Sequence, residues 1–297
     1  MTTDDRPSLD SAGPHGDALP GTAAPPALPP RLIELAGTPA HDALLRLIAA
    51  GTRLRRVQVG DYRVYVMEGH DGQLVSVSTA LSIINKPGLV GWARRTALEA
   101  VRSLLLEGAD AEPYLSRDPE TVETLIAQAH AMSVARRDEA ARFGTELHHL
   151  IEEHILGREP EPPPELVDAY AAYLDWERQA DAILVLAELP VYSLQYGYAG
   201  TVDAIGIRRD GEGLIAFDWK TSGKVYPEHA LQVAAYAQAL WEMTGLPVEE
   251  GWIVRLAKDR PAFEARRVAD WRRAFPGFLA ALDLWRHMRT DYLGEWA

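Results

Sequence analysis

Two strand-like runs separated by a tight turn constrain the fold of this chain more than any other part of its sequence. Thr201–Ile207 and Leu214–Lys220 are rich in apolar and β-branched residues, and the segment between them contains the turn signal Asp210-Gly211. Runs of this kind around an Asp-Gly pair are typical of an antiparallel β-hairpin. We therefore expect the two runs to pair with each other.

Three charged side chains share one face of the predicted hairpin. Asp218 and Lys220 are two residues apart, so they point the same way. Pairing around the turn brings Asp203 near Asp218, and two carboxylates at that separation repel unless a cation lies between them. Carboxylates suit a hard divalent ion such as Mg²⁺ or Mn²⁺, which keeps positions for water and a phosphate. The alternative is a surface salt bridge between Asp218 and Lys220, because D-x-K is a common pattern.

Lysine is scarce in this chain. The 30 basic residues include only four lysines, at positions 86, 220, 224 and 258, and the others are arginines. This bias favours a specific use for the compact, rotatable ammonium of Lys220. Together with the two carboxylates it predicts metal-assisted phosphodiester hydrolysis, in which a lysine orients the nucleophile or neutralises charge in the transition state.

The segment Phe143–Leu156 predicts a helix whose apolar residues, at positions 147, 150, 151 and 155, lie on one buried face. His148 and Glu152 flank that face at its edge, whereas His149 and Glu153 point to solvent. His148 is therefore a candidate metal ligand or phosphate contact, with Glu152 beside it. A boundary histidine hydrogen-bonded to Glu152 is the alternative interpretation.

A second helix is predicted over Pro227–Leu240, directly after the DWKTS segment. Gln232 and Tyr236 are four residues apart and lie on one face of it. They are candidates for contacts with DNA or with Lys220. An ordinary amphipathic pair would show the same spacing.

Taken in order, these motifs resemble the PD-(D/E)XK nuclease superfamily. They are a GTxxH helix, a strand led by Glu188 in AELPVYS, then GYAGTVDAI, LIAFDWKTS and QVAAYAQAL. The nearest likeness is to the RecB-like exonuclease branch, which includes phage-encoded, CRISPR-adaptation and mitochondrial genome maintenance exonucleases. The likeness covers residues 140–245, with a weaker one over Val75–Val101. It implies an α/β fold with a restriction-endonuclease-like core, that is, a central mixed β-sheet flanked by helices.

The resemblance also implies roles for individual residues. It implies a site for Mg²⁺ or Mn²⁺ with the metal ligands His148, Asp203 and Asp218. The implied catalytic residues are Asp203, Asp218 and Lys220. The supporting candidates are Glu188, Gln232, Tyr236 and Glu152. Some relatives bind an iron-sulfur cluster through four cysteines, but this chain has no cysteine, which excludes that variant.

Three regions are expected along the 297 residues. Residues 1–30 are rich in Pro, Gly, Ala and Asp and predict a disordered tail. Residues 31–140 predict a mainly helical region, with helices over 30–51 and 78–107 and a hairpin over 54–68. Residues 141–297 predict the nuclease core, closed by a helix over 271–292 that breaks near Pro276-Gly277. The chain has neither a signal core nor a membrane-length apolar run, so a cytoplasmic protein is expected.

The net charge of −13 opposes a simple nucleic-acid surface, because binding to a phosphate backbone normally requires positive charge. The candidate DNA contacts are Trp92, Arg94, Arg95 and Thr221. An aromatic ring beside two cations can stack a base while the cations hold phosphates, although a tryptophan that packs its helix would look the same.

The motifs and the resemblance together predict a metal-dependent deoxyribonuclease acting on single strands or duplex ends. The resemblance alone favours an exonuclease.

Two other functions stay open at this point. A catalytically silent DNA-binding scaffold would keep the same core without metal-dependent cleavage. A metal-dependent hydrolase of small phosphorylated substrates would be better matched to the acidic charge.

Overall fold

The computed structural model describes residues 28–84, 87–107, 119–208 and 213–290. Most of the predicted N-terminal tail therefore lies outside the described residues. So do the turn at Asp210-Gly211 and the predicted end of the last helix.

The described N-terminal region contains two helices, then three consecutive strands, then three further helical segments. They are α1 (Pro30–Ile33), α2 (Pro39–Gly51), β1 (Leu54–Val59), β2 (Tyr62–Met67), β3 (Gln73–Ser76), α3 (Val77–Ala80), a 3₁₀ turn (Leu81–Ile83) and α4 (Pro87–Glu107). The remainder begins with a long helix and contains most of the sheet. Its elements are α5 (Pro119–Ile155), a 3₁₀ turn (Pro164–Leu166), α6 (Val167–Gln179), β4 (Ala182–Ser193), β5 (Tyr198–Arg208), β6 (Leu214–Lys220), α7 (Pro227–Thr244), β7 (Val248–Leu256), β8 (Phe263–Val268) and α8 (Trp271–His287).

All the described strands belong to one eight-stranded sheet in the order β1-β2-β3-β5-β6-β7-β8, with β4 also paired to β5. The β3–β5 and β6–β7 pairs are parallel, and the other pairs are antiparallel. The predicted central mixed sheet flanked by helices is therefore confirmed. In the part of the chain that the structure describes, no helix is both long and apolar enough to cross a membrane.

The two faces of the sheet bury separate apolar clusters. Along β6, Leu214 and Ala216 belong to the cluster covered by α7 and α8, whereas Phe217 and Trp219 belong to the one covered by α5 and α6. The alanines of α7 let it lie close to the sheet, and Gly251 of β7 is required at this contact because a Cβ there would meet a valine methyl of α7 at 2.0 Å. This alternation leaves Asp218 and Lys220 on the α7 face.

One edge of β5 carries two different strands. Strand β4 pairs along β5 from Tyr198 to Arg208, so β3 and β6 must share the opposite edge. On that edge β3 pairs as far as Ala199, and β6 begins to pair at Ala204. Between these points the described residues include no strand partner for the edge of β5. The sheet therefore has a notch at residues 200–203.

Some predicted elements need correction. The helix expected over residues 78–107 is divided into α3, a 3₁₀ turn and α4, because Pro87 begins a new helix rather than continuing one. The expected break at Pro276 is wrong, since α8 continues through it. Phe275 and Phe278 on either side of this proline are both buried in the core, and their packing opposes a break.

The predicted hairpin over residues 54–68 is present as β1 and β2, with Val57 paired to Val64. It is not separate from the core, because β3 connects it to the central sheet through Val75 and Ser76. Strand β3 has only four residues and was not predicted as a strand. The predicted helix over residues 30–51 is present as α1 and α2, separated by a turn with Gly37 at φ +85°.

Candidate functional site

The notch in the sheet holds two buried carboxylates. The β5–β6 register pairs Ala204 with Phe217, so Asp203 and Asp218 occupy the next opposed positions, as the hairpin geometry predicts. Asp203 is 8% exposed and Asp218 is fully buried. The main-chain N–H of Trp219 donates to Asp203 Oδ2 at 2.7 Å. Burial raises the pKa of Asp203, although nearby cations oppose that shift.

Asp218 and Lys220 form a buried ion pair on the same face of β6. The ammonium of Lys220 donates to Asp218 Oδ1 at 2.7 Å and also lies 2.7 Å from Oδ2. Both oxygens of this buried carboxylate therefore face the ammonium. Burial raises the pKa of Asp218 to about 6 against the opposing effect of Lys220. Burial lowers the pKa of Lys220, but the carboxylates of Asp218 and Asp203 outweigh it and the pKa is raised.

His148 of α5 contacts Asp203 and a second carboxylate, Glu188 of β4. Its Nδ1 lies 3.2 Å from Glu188 Oε1 and 3.8 Å from Asp203 Oδ1. Ligand atoms of these three residues all lie within 4.8 Å of one another, a spacing that could hold a metal ion. Burial lowers the pKa of His148, but the carboxylates of Asp203 and Glu188 outweigh burial and raise the pKa to about 9.

Glu188 is held in a backbone conformation that side-chain-bearing residues rarely adopt. Its φ is +48°, and no other non-glycine residue of the described chain has a positive φ. Ala187 and Leu189 pair with Ala204 and Val202, so Glu188 lies opposite Asp203 at a local distortion of β4. A left-handed conformation at such a residue costs about 1–3 kcal/mol and persists only where the surroundings impose it. In this conformation the Glu188 carboxylate lies close to both His148 and Asp203.

Glu188 joins two of the three predicted metal ligands in this cluster, and Asp218 as a metal ligand stays a prediction. His148 and Asp203 lie together as expected, Glu188 completes the cluster, and Asp218 contacts Lys220. No local sequence pattern indicates a strand glutamate with this backbone geometry. The sequence therefore predicted Glu188 only as a supporting residue and not as a member of the cluster.

The other supporting candidates divide between two places. Gln232 donates to the hydroxyl of Tyr236 at 3.0 Å, and the ring of Tyr236 packs against Gly200 in the notch. Burial raises the pKa of Tyr236 well above its usual range, and the carboxylates of Asp203 and Asp218 add to the shift. The alternative interpretation, in which His148 is hydrogen-bonded to Glu152, is wrong, because His148 contacts Glu188.

Glu152 contacts His149 instead, at 3.3 Å, because the imidazole of His148 turns toward the sheet carboxylates. Glu152 is half-buried, one helical turn from His148, and is not part of the cluster formed by His148, Glu188 and Asp203.

A cavity of about 920 Å³ begins at Thr221, the residue that follows Lys220 in the chain, although Lys220 itself is not among its lining residues. Of the predicted DNA contacts, Trp92, Arg95 and Thr221 line it. Arg94 is exposed and lies outside the lining. Four further basic residues, distant in sequence from Trp92 and Arg95, also line the cavity: Arg137, Arg255, Lys258 and Arg260.

Comparisons with known proteins give distant structural similarities only. The sequence matches no protein-family profile and no curated protein. Among solved structures, the chain is similar to the protein SSO0001, with a TM-score of 0.30 and 18% identity over 52% of this chain and 72% of that one. It is also similar to an alkaline exonuclease (LHK-Exo) from Laribacter hongkongensis, with a TM-score of 0.25 and 13% identity over 49% of this chain and 82% of that one.

Proposed function

We propose that this chain is a divalent-metal-dependent nuclease that hydrolyses phosphodiester bonds of DNA, and that it acts from strand ends. The observation that carries the proposal is the buried group Asp203, Asp218 and Lys220 at the notch, beside His148 and Glu188. The order of the sequence motifs supports it. The resemblance to RecB-like exonucleases favours ends over internal sites.

The residues at the notch fit a divalent metal ion. An imidazole nitrogen and two carboxylates converge within 4.8 Å of one another. Carboxylates suit Mg²⁺ and Mn²⁺, and an imidazole in the set favours Mn²⁺ over Mg²⁺. His148, Glu188 and Asp203 would hold the ion. An ion bound there supplies Lewis-acid chemistry toward a phosphate and lowers the pKa of bound water.

The side chains around this position divide the remaining tasks. Lys220 stays protonated because its pKa is raised, so it acts as a fixed positive charge beside the reacting phosphate rather than as a base. Asp218 holds the ammonium in place, and the N–H of Trp219 orients Asp203. The hydroxyl of Tyr236 remains protonated and, with Gln232, closes the α7 side of the notch.

Cleavage of labelled DNA tests the proposal. Linear single-stranded and duplex DNA carrying 5′ or 3′ labels, and circular DNA, are incubated with the full chain in Mg²⁺, Mn²⁺ or EDTA. We expect metal-dependent loss of linear DNA, and no cutting of circles. Lys220→Met should abolish the activity, whereas Lys224→Met, which alters an exposed lysine four residues along the chain, should not. A circular dichroism spectrum of each variant establishes that it is folded.

The two other functions give different results in the same experiment. A silent scaffold would bind DNA without cleavage in any metal. A hydrolase of small substrates would turn over bis(p-nitrophenyl) phosphate or nucleoside monophosphates and leave DNA intact. Equal cleavage by Lys220→Met and the wild-type chain would overturn the assignment of the site.

A further inference from the structure

The large cavity that begins at Thr221 is assembled from parts that are distant in sequence. Helix α4 contributes Trp92 and Arg95, α5 contributes Arg137, and the loop after β6 contributes residues 221–223. The start of α7 and the end of β7 with its following turn, residues 255–260, complete the lining. Thr221 directly follows Lys220, so the cavity begins one residue from the candidate catalytic cation.

The lining is cationic although the chain is acidic. Its basic side chains are Arg95, Arg137, Arg255, Lys258 and Arg260, and its acidic ones are Glu228 and Asp259. Acidic partners outside the lining compensate two of these charges, since Arg255 is paired with Glu264 at 3.1 Å and Arg137 with Asp138 at 3.0 Å, which leaves Arg95, Lys258 and Arg260 as the main source of positive charge. In a chain with a net charge of −13, this concentration of positive charge selects a polyanion at this position.

Small residues keep the cavity open near the site. Ala140 and Ala141 form the α5 wall, and Gly144 lets α5 approach the loop after β6, since a Cβ there would lie 3.3 Å from Thr221 Oγ1. Lys258 packs over the ring of Phe143 at 4.5 Å and is thereby held against the same wall. The opening is therefore a feature of the packed fold rather than a gap between loose side chains.

Aromatic side chains in the lining indicate which form of nucleic acid fits. Trp92 and Tyr226 are half-buried and border the cavity. An aromatic ring can stack on a base only when that base is unpaired and unstacked from its neighbours. Cations that follow a backbone, combined with aromatic rings, are the usual composition of single-strand sites.

We propose that this cavity binds a single DNA strand, with phosphates on Arg95, Arg137, Lys258 and Arg260 and a base on Trp92, and leads that strand to Lys220. The inference rests on the proposed nuclease function and adds that the substrate is unpaired next to the scissile bond. Such a strand would lie along the residues of α4 and α5 that line the cavity and would approach β6 at Thr221.

Two neighbouring arginine pairs provide matched variants. Arg95 and Arg137 line the cavity, whereas Arg94 and Arg136, the adjacent residues on the same helices, do not. Binding of fluorescent oligothymidylate to the full chain is followed by anisotropy in EDTA, which prevents cleavage. A hairpin duplex and an oligouridylate of matched length are the other probes.

We expect oligothymidylate to bind more tightly than the duplex or the RNA, with affinity that falls steeply as salt rises. Arg95→Ala and Arg137→Ala should weaken binding about tenfold and lower the salt slope by about 0.7 each, as expected for one lost single-strand phosphate contact. Arg94→Ala and Arg136→Ala should leave both quantities unchanged. Trp92→Leu should weaken binding about tenfold while leaving the salt slope unchanged, because it removes stacking and no charge.

Equal losses in the lining and control variants, or binding of the duplex or RNA at least as tight as that of oligothymidylate, would overturn the inference. The two proposals fail separately. If cleavage depends on Lys220 but Arg95→Ala and Arg137→Ala bind as the wild-type chain does, the strand-binding proposal is contradicted and the nuclease proposal stands. If selective binding depends on these arginines but no metal supports cleavage, the strand-binding proposal stands and the nuclease proposal is contradicted.

Discussion

The main-chain N–H of Trp219 donates to a side-chain oxygen, Asp203 Oδ2, at 2.7 Å, just beyond the last ladder pair of β5 and β6. A strand continuing this pairing would have supplied a main-chain carbonyl. Because β3 occupies the same edge of β5 only as far as Ala199, the carboxylate fills the space between two strands. The hydrogen bond therefore ties the candidate site to a break in the sheet, where a polar group is buried and still satisfied.

Replacing Lys220 by Met should destabilise the metal-free chain strongly. The substitution leaves Asp218 fully buried without its cation, and breaking a buried pair in this way costs about 3–5 kcal/mol. Removing the cation raises the pKa of Asp218 further above about 6, so the folded variant prefers a protonated carboxyl. Part of the lost stability should therefore return as the pH falls from 8 to 5, because protonation is then favoured more in the folded than in the unfolded chain.

Urea unfolding in EDTA at pH 5 and pH 8 measures this effect, with Lys224→Met as the control. A loss of stability that is equal at the two pH values would contradict a buried, uncompensated carboxylate.

Glu188 should show opposite effects on stability and on metal binding. Glycine adopts φ +48° without strain, so Glu188→Gly should keep or raise the free energy of unfolding, by as much as about 1 kcal/mol, while removing a metal contact. Glu188→Gln keeps the strained backbone and should not gain that stability. Both variants should bind Mn²⁺ more weakly, as followed by calorimetry. A Glu188→Gly chain that is less stable than Glu188→Gln would show that the backbone at this position is not strained.

The sequence predicted the parts of this site that depend on local periodicity. The two-residue repeat of strands gives the shared face of Asp218 and Lys220, and the turn between the strands gives the position of Asp203 opposite Asp218. The pairing of β3 with β5 joins residues that are far apart in the chain, so no local pattern indicated that the N-terminal hairpin extends the sheet. For the same reason the basic residues of α4, α5 and the turn after β7 could not be assigned to one cavity from the sequence. The imidazole of His148 points toward Glu188 of β4, and the periodicity of a helix cannot indicate a contact with a distant strand.

His148 should make the metal-free chain less stable in alkali. Its folded pKa is raised to about 9 from an ordinary value of 6.5, so its stabilising contribution is complete below pH 6.5 and is lost as the pH rises through 9. The contribution is at most roughly 3 kcal/mol by the linkage relation. His148→Gln should flatten this part of the stability curve between pH 6.5 and pH 9.

Thermal unfolding in EDTA across that range gives the comparison. His149→Gln is the matched control, because the adjacent imidazole is 67% exposed and should leave the curve as in the wild-type chain. Identical curves for the wild-type chain and His148→Gln would exclude the carboxylate cluster as the cause of the raised pKa.

Gly200 should be intolerant of a single added methyl group. A Cβ at this position would lie 2.6 Å from Tyr236 Cε1 and 3.1 Å from Val77 Cγ2, and both of those side chains are buried. Overpacking of this kind costs about 1–3 kcal/mol, and here it would also push Tyr236 away from the notch. We therefore expect Gly200→Ala to lower both the free energy of unfolding and kcat. Gly223→Ala, where nothing lies within 4 Å of the added Cβ, should not reduce stability.

A double-mutant cycle locates the clash. Combining Gly200→Ala with Tyr236→Ala removes the ring that the new methyl group meets, so the two losses of stability should be less than additive, by about 1 kcal/mol. Strict additivity would mean that the added methyl group acts through Val77 rather than through Tyr236. In that case kcat of Gly200→Ala should remain close to the wild-type value, because the notch itself would be undisturbed.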